Sequence, residues 1–262
     1  MGIYVVTGGT KGMGGEAVKI LKGLGHTVCN IDCDRGDICV DLGTAEGRAE
    51  AVAKVHSLFP DGIDGLASNA GIASSEPLSR TIRVNYFGSV AIAEGLFDLL
   101  RKKRGRCVLT VSHSNSYAER NHLFVDRLLA DCGDEERIAK LVDTFDPEEV
   151  DNSIYCSTKI GLTRWMRRTA PGWAKEGVRL NAVAPGAVNT TIMNGVKHMR
   201  PNAAMAKALS VPLTDDAHRV LNPEEVAPMI VHLLLPSACG SVGNVFYCDA
   251  GTEVLLHTEK VY

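Results

Sequence analysis

Ile3-Tyr4-Val5-Val6-Thr7-Gly8-Gly9-Thr10-Lys11-Gly12-Met13-Gly14 is the stretch that decides the fold. Ile3 to Val6 reads as a buried strand, and Thr7 to Gly14 as a glycine loop. Glu16 to Leu24 then carries Ala17, Val18, Ile20, Leu21 and Leu24 at helical spacing, and Gly25 ends the helix. A glycine loop between strand and helix can turn tightly and bring backbone N–H groups close to a pyrophosphate. Gly8, Thr10, Lys11, Gly12 and Met13 are its candidate cofactor-binding residues. The helix N-terminus adds a favourable partial positive charge for that anion. The second strand, Thr27 to Ile31, leads to Asp32, 18 residues after Gly14. A carboxylate there can accept hydrogen bonds from both adenosine ribose hydroxyls and would repel a 2′-phosphate. That favours NAD over NADP, although Lys11 and Arg35 are cations of the kind that hold a 2′-phosphate.

Apolar and amphipathic runs alternate along the rest of the chain. Strands are expected at Ile63–Ala67, Cys107–Ser112, Val178–Ala184 and Asn244–Cys248. Helices are expected from Thr44, an N-cap, through Leu58, and over Thr81–Arg101, Tyr155–Glu176 and Pro223–Leu235. Repeated βαβ units imply an α/β fold with a doubly wound parallel sheet, a Rossmann fold. No linker or internal repeat divides the 262 residues, so a single domain over 1–262 is expected.

Composition narrows the function classes. A net charge of -3 gives no basic excess for nucleic acid. The longest apolar stretch, Val226–Leu235, contains Pro228 and His232 and is too short to span a bilayer. No secretory or lipid-anchor pattern is read at either end. The eight cysteines include no CxxC pair, so no metal site is expected and reduced thiols in a cytoplasmic protein are. Glycine is in excess, 26 residues or a tenth of the chain against roughly 7% on average. Many tight βα turns, or backbone lying close to a ligand, would account for it.

Tyr155-Cys156-Ser157-Thr158-Lys159 places Tyr155 and Lys159 four residues apart, on one helix face. An ammonium beside a phenol favours the phenolate and lowers its pKa. A phenol so tuned can exchange a proton with an alcohol.

With these motifs in this order, the sequence resembles the short-chain dehydrogenase/reductase family over nearly its whole length. Thr7 to Gly14 is similar to the family's TGxxxGxG loop. Asp41-Leu42 resembles the pair whose acid contacts adenine, and Asn69-Ala70-Gly71 the NAG motif. Asn85 resembles the helix asparagine of the catalytic tetrad, and Tyr155 with Lys159 its YxxxK. Asn181 to Gly186, then Val188 and Thr190, resemble the segment that touches the nicotinamide, which makes Pro185, Gly186, Val188 and Thr190 cofactor candidates. Asp249-Ala250-Gly251 departs from the family's DGG by an alanine in the middle.

The tetrad's serine falls in Val111-Ser112-His113-Ser114-Asn115-Ser116. An ungapped count from Asn85 can set His113 there; comparison with Ser-Ser-Asn-Ser relatives selects Ser114, with Ser112 second. The resemblance implies NAD(H)-dependent interconversion of a secondary alcohol and a ketone. Tyr155 would act as acid or base, and Ser114 would hold the substrate oxygen. Lys159 would tune the tyrosine and hold the nicotinamide ribose, and Asn85 would position a relay water. A dinucleotide-binding regulator without turnover is the alternative, with the uncertain serine as its foothold.

Tyr155 follows Ser114 by 41 positions, and many relatives have far fewer. Residues 115–152 read as a helical insertion, with amphipathic stretches at Glu119–Asp131 and Glu135–Phe145. A similar insertion occurs in the family's bacterial 3α-hydroxysteroid dehydrogenase/carbonyl reductase-like members, which this chain also resembles at Asp41–Arg48 and Val84–Gly88. That subgroup implies a homodimer, with a tetramer as the alternative, and a hydroxysteroid or other bulky apolar alcohol as the small-molecule substrate. Residues 190–222 are expected to form the substrate loop.

Overall fold

The computed structural model describes residues 1–75, 77–116, 125–150, 153–190, 220–238 and 240–260. Strands and helices alternate through the first half. They run β1 (Ile3–Thr7), α1 (Gly12–Gly23), β2 (Thr27–Asp32), β3 (Ile38–Cys39), α2 (Ala45–Leu58) and β4 (Gly65–Ser68). Then come α3 (Leu78–Ile82), a π-helical turn over Arg83–Gly88, α4 (Ser89–Gly95), α5 (Phe97–Lys103) and β5 (Arg106–Thr110). The insertion contributes α6 (Val125–Arg127), a second π turn (Leu128–Cys132), α7 (Glu135–Val142) and α8 (Pro147–Val150). The second half holds α9 (Ser153–Lys175), β6 (Arg179–Pro185), α10 (Pro223–Leu234), β7 (Val245–Cys248) and α11 (Thr252–Leu256).

The seven strands among the described residues pair in parallel, in the order β3-β2-β1-β4-β5-β6-β7. This is the doubly wound sheet read from the sequence. Side chains alternate across it, as period-two geometry requires. Tyr4, Val6, Ala67, Val108 and Val183 face one way, onto α1 and α10 through Leu21, Ile230 and Leu234. Val5, Ile31, Leu66, Leu109 and Ala182 face the other, onto α2, α4, α5 and α9 through Val55, Ile92, Leu99 and Leu162. A parallel sheet covered on both faces explains the near-continuous apolar character of β1, β4 and β5. Thr44 caps α2 as expected: its Oγ1 accepts from the Gly47 amide at 3.0 Å.

Two expectations need correction. The long helix over Thr81–Arg101 is a succession of pieces. It starts at Leu78, widens into the π turn at Arg83–Gly88, and breaks at Leu96 (φ -102°, ψ 4°). The two-residue strand Ile38–Cys39 was not foreseen; it is too short to show a period. Most of the described insertion is helical, with breaks at 133–134 and 143–146, but 117–124 and 151–152 lie outside the described residues, as does 191–219 of the expected substrate loop. Among the described residues, no helix is long and apolar enough to cross a membrane.

Candidate active site

The C-terminal ends of β1, β2 and β4 open onto a cleft of about 350 Å³. Ligands of open α/β sheets bind at this edge, where the strand order reverses. Of the residues expected to hold a cofactor, Gly8, Thr10, Lys11, Gly12, Met13, Asp32, Asp41, Leu42, Asn69, Ala70, Gly71 and Thr190 line the cleft. Tyr155 and Lys159 on α9 do not, nor do Pro185, Gly186 and Val188, which stand on and just past β6. The Gly186 amide donates to the Cys248 carbonyl at 3.0 Å, and Val188 bridges to Leu221.

The glycine loop has the shape its sequence demands. Gly8 turns left-handed (φ +67°), with Ala70 Cα 2.9 Å from where a Cβ would stand. A Cβ on Gly14 would collide with the Gly8 carbonyl and the Asn69 side-chain amide. Thr7 ties the loop to the NAG segment, because its Oγ1 accepts from the Asn69 and Ala70 amides, each at 3.0 Å. Asp32 Oδ2 accepts from the Thr10 amide at 3.1 Å, which holds the carboxylate against the loop. Bare glycine backbone beside a helix N-terminus, with a carboxylate at the next strand end, fits the diphosphate and ribose of a dinucleotide.

Asp41 is braced on two sides. Its Oδ1 accepts from the Gly43 amide at 2.8 Å, and its Oδ2 pairs with Arg80 Nη1 at 3.0 Å. Partial burial alone would raise the Asp41 carboxyl; the Gly43 amide and Arg80 guanidinium outweigh it and hold it below the usual range. Arg80, Val84, Ala73 and Cys33 also line this end of the cleft, and sequence reasoning missed them. Nothing in the spacing of Arg80 from Asp41, 39 positions away, signals the pair.

Beyond Gly71 the expected catalytic residues come together. Asn85 is fully buried in the π turn, with its side chain clamped on Ile72: Oδ1 accepts from the Ile72 amide at 2.8 Å and Nδ2 donates to the Ile72 carbonyl at 2.9 Å. A π turn inside an α-helix frequently marks a functional position. The space a Cβ on Gly71 would take lies 3.2 Å from Asn85 Oδ1 and 3.5 Å from Lys159 Nζ. Lys159 is buried, donates to the Thr110 carbonyl at 3.0 Å, and lies 5.7 Å from the centre of the Tyr155 ring. Thr110 Oγ1 in turn donates to Asn69 Oδ1 at 3.1 Å, which joins the lysine to the cofactor loop.

The electrostatics differ from the simple reading of the Tyr–Lys spacing. Burial pushes the Tyr155 phenol up to about 12; the neighbouring Cys156 adds to the rise, and a hydrogen bond with Ser112 opposes it. Burial also pulls the Lys159 ammonium down to about 8. Desolvation therefore governs both groups, and the lowering of the phenol that the spacing implied is not found.

Ser112 is the serine whose side chain hydrogen-bonds Tyr155. Its Oγ also accepts from the Ser114 amide at 3.1 Å. Ser114, which the register selected, lies in the 3₁₀ turn His113–Ser116, and its buried hydroxyl meets no partner among the described residues. Among the described residues no group of three or more His, Cys, Asp or Glu side chains could hold a metal ion.

Comparison with known proteins agrees with the fold. The chain is 30% identical over 262 residues to the 3-alpha-hydroxysteroid dehydrogenase/carbonyl reductase of Comamonas testosteroni, covering 98% of each. The chain belongs to the short-chain dehydrogenase/reductase family. The structure of the 3-alpha-hydroxysteroid dehydrogenase of Pseudomonas sp. B-0831, complexed with NADH, superposes on this short-chain dehydrogenase/reductase with a TM-score of 0.87. That match is at 31% identity and covers 98% of this chain and 99% of the other. The coniferyl-alcohol dehydrogenase of a Pseudomonas species is 28% identical, covering 87% of this chain and 88% of its own. Residues 147–253 match the family described as Enoyl-(Acyl carrier protein) reductase.

One departure of this short-chain dehydrogenase/reductase from its family's pattern has a visible cost. Ala250 stands where the pattern has glycine, and it takes a left-handed conformation (φ +53°) that disfavours a Cβ. Asp249 holds the turn, its carboxylate oxygens accepting from the Gly251 amide at 3.1 Å and the Glu253 amide at 2.7 Å.

Proposed function

We propose that this short-chain dehydrogenase/reductase interconverts a secondary alcohol and a ketone with NAD(H), on a hydroxysteroid or another bulky apolar alcohol. The observation that carries this reading is Tyr155, with Ser112 on its hydroxyl and Lys159 beside its ring, and with that lysine against Gly71, which lines the cleft that also holds Asp32. The dinucleotide, when bound, would supply hydride transfer at its nicotinamide. The Gly8–Met13 backbone, Asp32, Asp41, Leu42, Asn69 to Gly71 and Thr190 would hold it, with Pro185, Gly186 and Val188 toward the nicotinamide. Asp32 and the NADH in the Pseudomonas relative both support NAD over NADP.

Tyr155 gives its proton to the ketone oxygen in reduction and takes the alcohol's proton in oxidation. A phenol held near 12 is protonated at neutral pH, which suits it as the acid. Ser112 steadies the oxygen as charge develops on it. Its hydroxyl is already on the phenol, and this favours it over Ser114. Lys159 and Asn85 hold the proton path behind Tyr155. The free thiols of the seven described cysteines support a cytoplasmic location, which cell fractionation would test.

The test is an absorbance assay of NADH and NADPH oxidation against steroid, aromatic and aliphatic ketones, with the reverse reaction on the matching alcohols. The expected result is turnover of a bulky apolar ketone with NADH, and little with NADPH. In the same assay Ser112→Ala is expected to cost about 10²-fold in kcat, and Ser114→Ala much less. Binding of NADH with turnover of no carbonyl compound would make the chain a regulator instead.

A homodimer is part of the same proposal. Its support is the insertion, which lies over the catalytic helix: Gly161 of α9 packs on the Asp126 carbonyl and Leu129. Surface that this packing covers is closed to a tetramer contact. Light scattering should give twice the monomer mass, and four times the monomer mass would refute it.

A further inference from the structure

Helix α2 and the π turn that carries Asn85 are tied to the insertion by charge. Arg48 of α2 is buried; its Nε donates to the Thr44 carbonyl at 2.9 Å, and its Nη2 reaches both Glu135 oxygens at 2.8 Å. Arg83, the first residue of the π turn, lies with its Nε 3.6 Å from Glu135 and its Nη2 2.7 Å from Glu136. Glu135 and Glu136 are the opening residues of α7, so one short helix grips α2 and the π turn together. Asp143, just past α7, accepts from the Ser79 amide at 2.8 Å and holds the start of α3, the helix that runs into that turn.

Exposed ion pairs contribute little to stability. The Arg48–Glu135 pair is different, with side-chain exposures of 8% and 23% and two hydrogen bonds to one carboxylate. Such a buried pair fixes geometry more surely than it adds stability. That pair sets Glu135 in place beside Arg83, which stands two residues before Asn85 and also reaches Glu136. Asn85 in turn grips Ile72, next to Gly71, and Gly71 lies against Lys159.

We propose that the Glu135–Glu136 pair of the insertion is a positioning element for the reaction, acting through Arg83 on the π turn that sets Asn85 against Gly71 and Lys159. The inference rests on the oxidoreductase reading above. It gives the insertion a part in turnover in addition to its packing. Arg83, Glu135 and Glu136 are positioning residues, since none of them lines the cofactor cleft. A displaced catalytic group costs rate even when the displacing change is remote from the chemistry.

Arg83→Met, Arg83→Lys and Glu136→Gln test this in the full-length protein. Four quantities are measured: kcat, KM for the alcohol, NADH affinity by fluorescence, and the thermal midpoint. Arg83→Met is expected to lower kcat about tenfold, with KM and NADH affinity changed by no more than about twofold. Arg83→Lys, which keeps a cation toward Glu136, is expected to restore most of that loss. Glu136→Gln should lower kcat in the same direction and by less. An unchanged kcat with a lowered midpoint would make the network a staple of the fold only and overturn the inference. So would equal losses of kcat and NADH affinity. If Arg83→Met does not fold, Glu136→Gln decides, because Glu136 is 69% exposed and tolerates replacement; its kcat must then fall. An active wild type with indifferent variants refutes this inference alone. A wild type that turns over no alcohol or ketone refutes the proposed function, and this inference with it.

Discussion

Tyr155→Phe is expected to lower kcat by about 10³-fold, the loss of a positioned general acid–base. It should leave NADH affinity within about a factor of three, because Tyr155 does not line the cleft that would hold the dinucleotide. The substitution removes one oxygen atom. That oxygen is hydrogen-bonded to Ser112, so the variant leaves the serine hydroxyl with the Ser114 amide alone. The cost of that lost bond is about 1 kcal/mol, too small to unfold the domain. Stopped-flow reduction of a ketone with excess NADH reads the chemical step, and fluorescence titration reads the binding. Turnover near wild type would remove Tyr155 from the mechanism. Loss of NADH binding together with turnover would mean that the phenol holds the cofactor and does not move the proton.

The same loop that would bind the dinucleotide made the fold legible. Thr7 to Gly14 sits between an apolar run and a helical period, and each flank has one local solution. Thr44 was legible for the same reason, since a cap is a contact over three residues. The Asn85 helix was only half legible. Its apolar period continues through Arg83–Gly88 and across Leu96, and a period does not register one extra residue in a turn. Yet Asn85, which bonds Ile72 with both its side-chain polar atoms, lies inside that turn. Long-range polar pairs leave no trace in spacing at all: Arg48 meets Glu135 across 87 positions, and Arg80 meets Asp41 across 39. The choice among Ser112, His113 and Ser114 was open because the 3₁₀ turn at His113–Ser116 reorients side chains within a few residues. Counting along the chain orders those residues but does not aim them. The amphipathic stretch at Glu135 was visible, while the chemistry of its acidic ends depends on which arginines the fold brings opposite.

Lys159→Met is expected to separate stability from activity. At pH 7 the free protein carries a buried ammonium whose pKa is pulled down by burial to about 8 from an ordinary 10.5. Below pH 8 the folded and unfolded chains both hold the proton, and folding bears the full cost of burying the charge. Between pH 8 and 10.5 the folded chain has released the proton while the unfolded chain retains it, so stability rises with pH across that window. The shift corresponds to about 3 kcal/mol at neutral pH. Methionine fills a similar space without the charge, and the lost bond to the Thr110 carbonyl returns about 1 kcal/mol. The variant should therefore melt about 5 °C higher than wild type at pH 7. That gap should close as the pH is raised toward 10.5. Over the same change kcat should fall by about 10²-fold or more, because the ammonium that stands behind Tyr155 is gone. Calorimetry at pH 7 and pH 10 reads the first effect, and the ketone assay the second. A variant that melts lower than wild type at pH 7 would show that the ammonium is compensated within the folded protein. The active site would then hold its lysine without strain, and the stability cost assigned to Lys159 would be wrong.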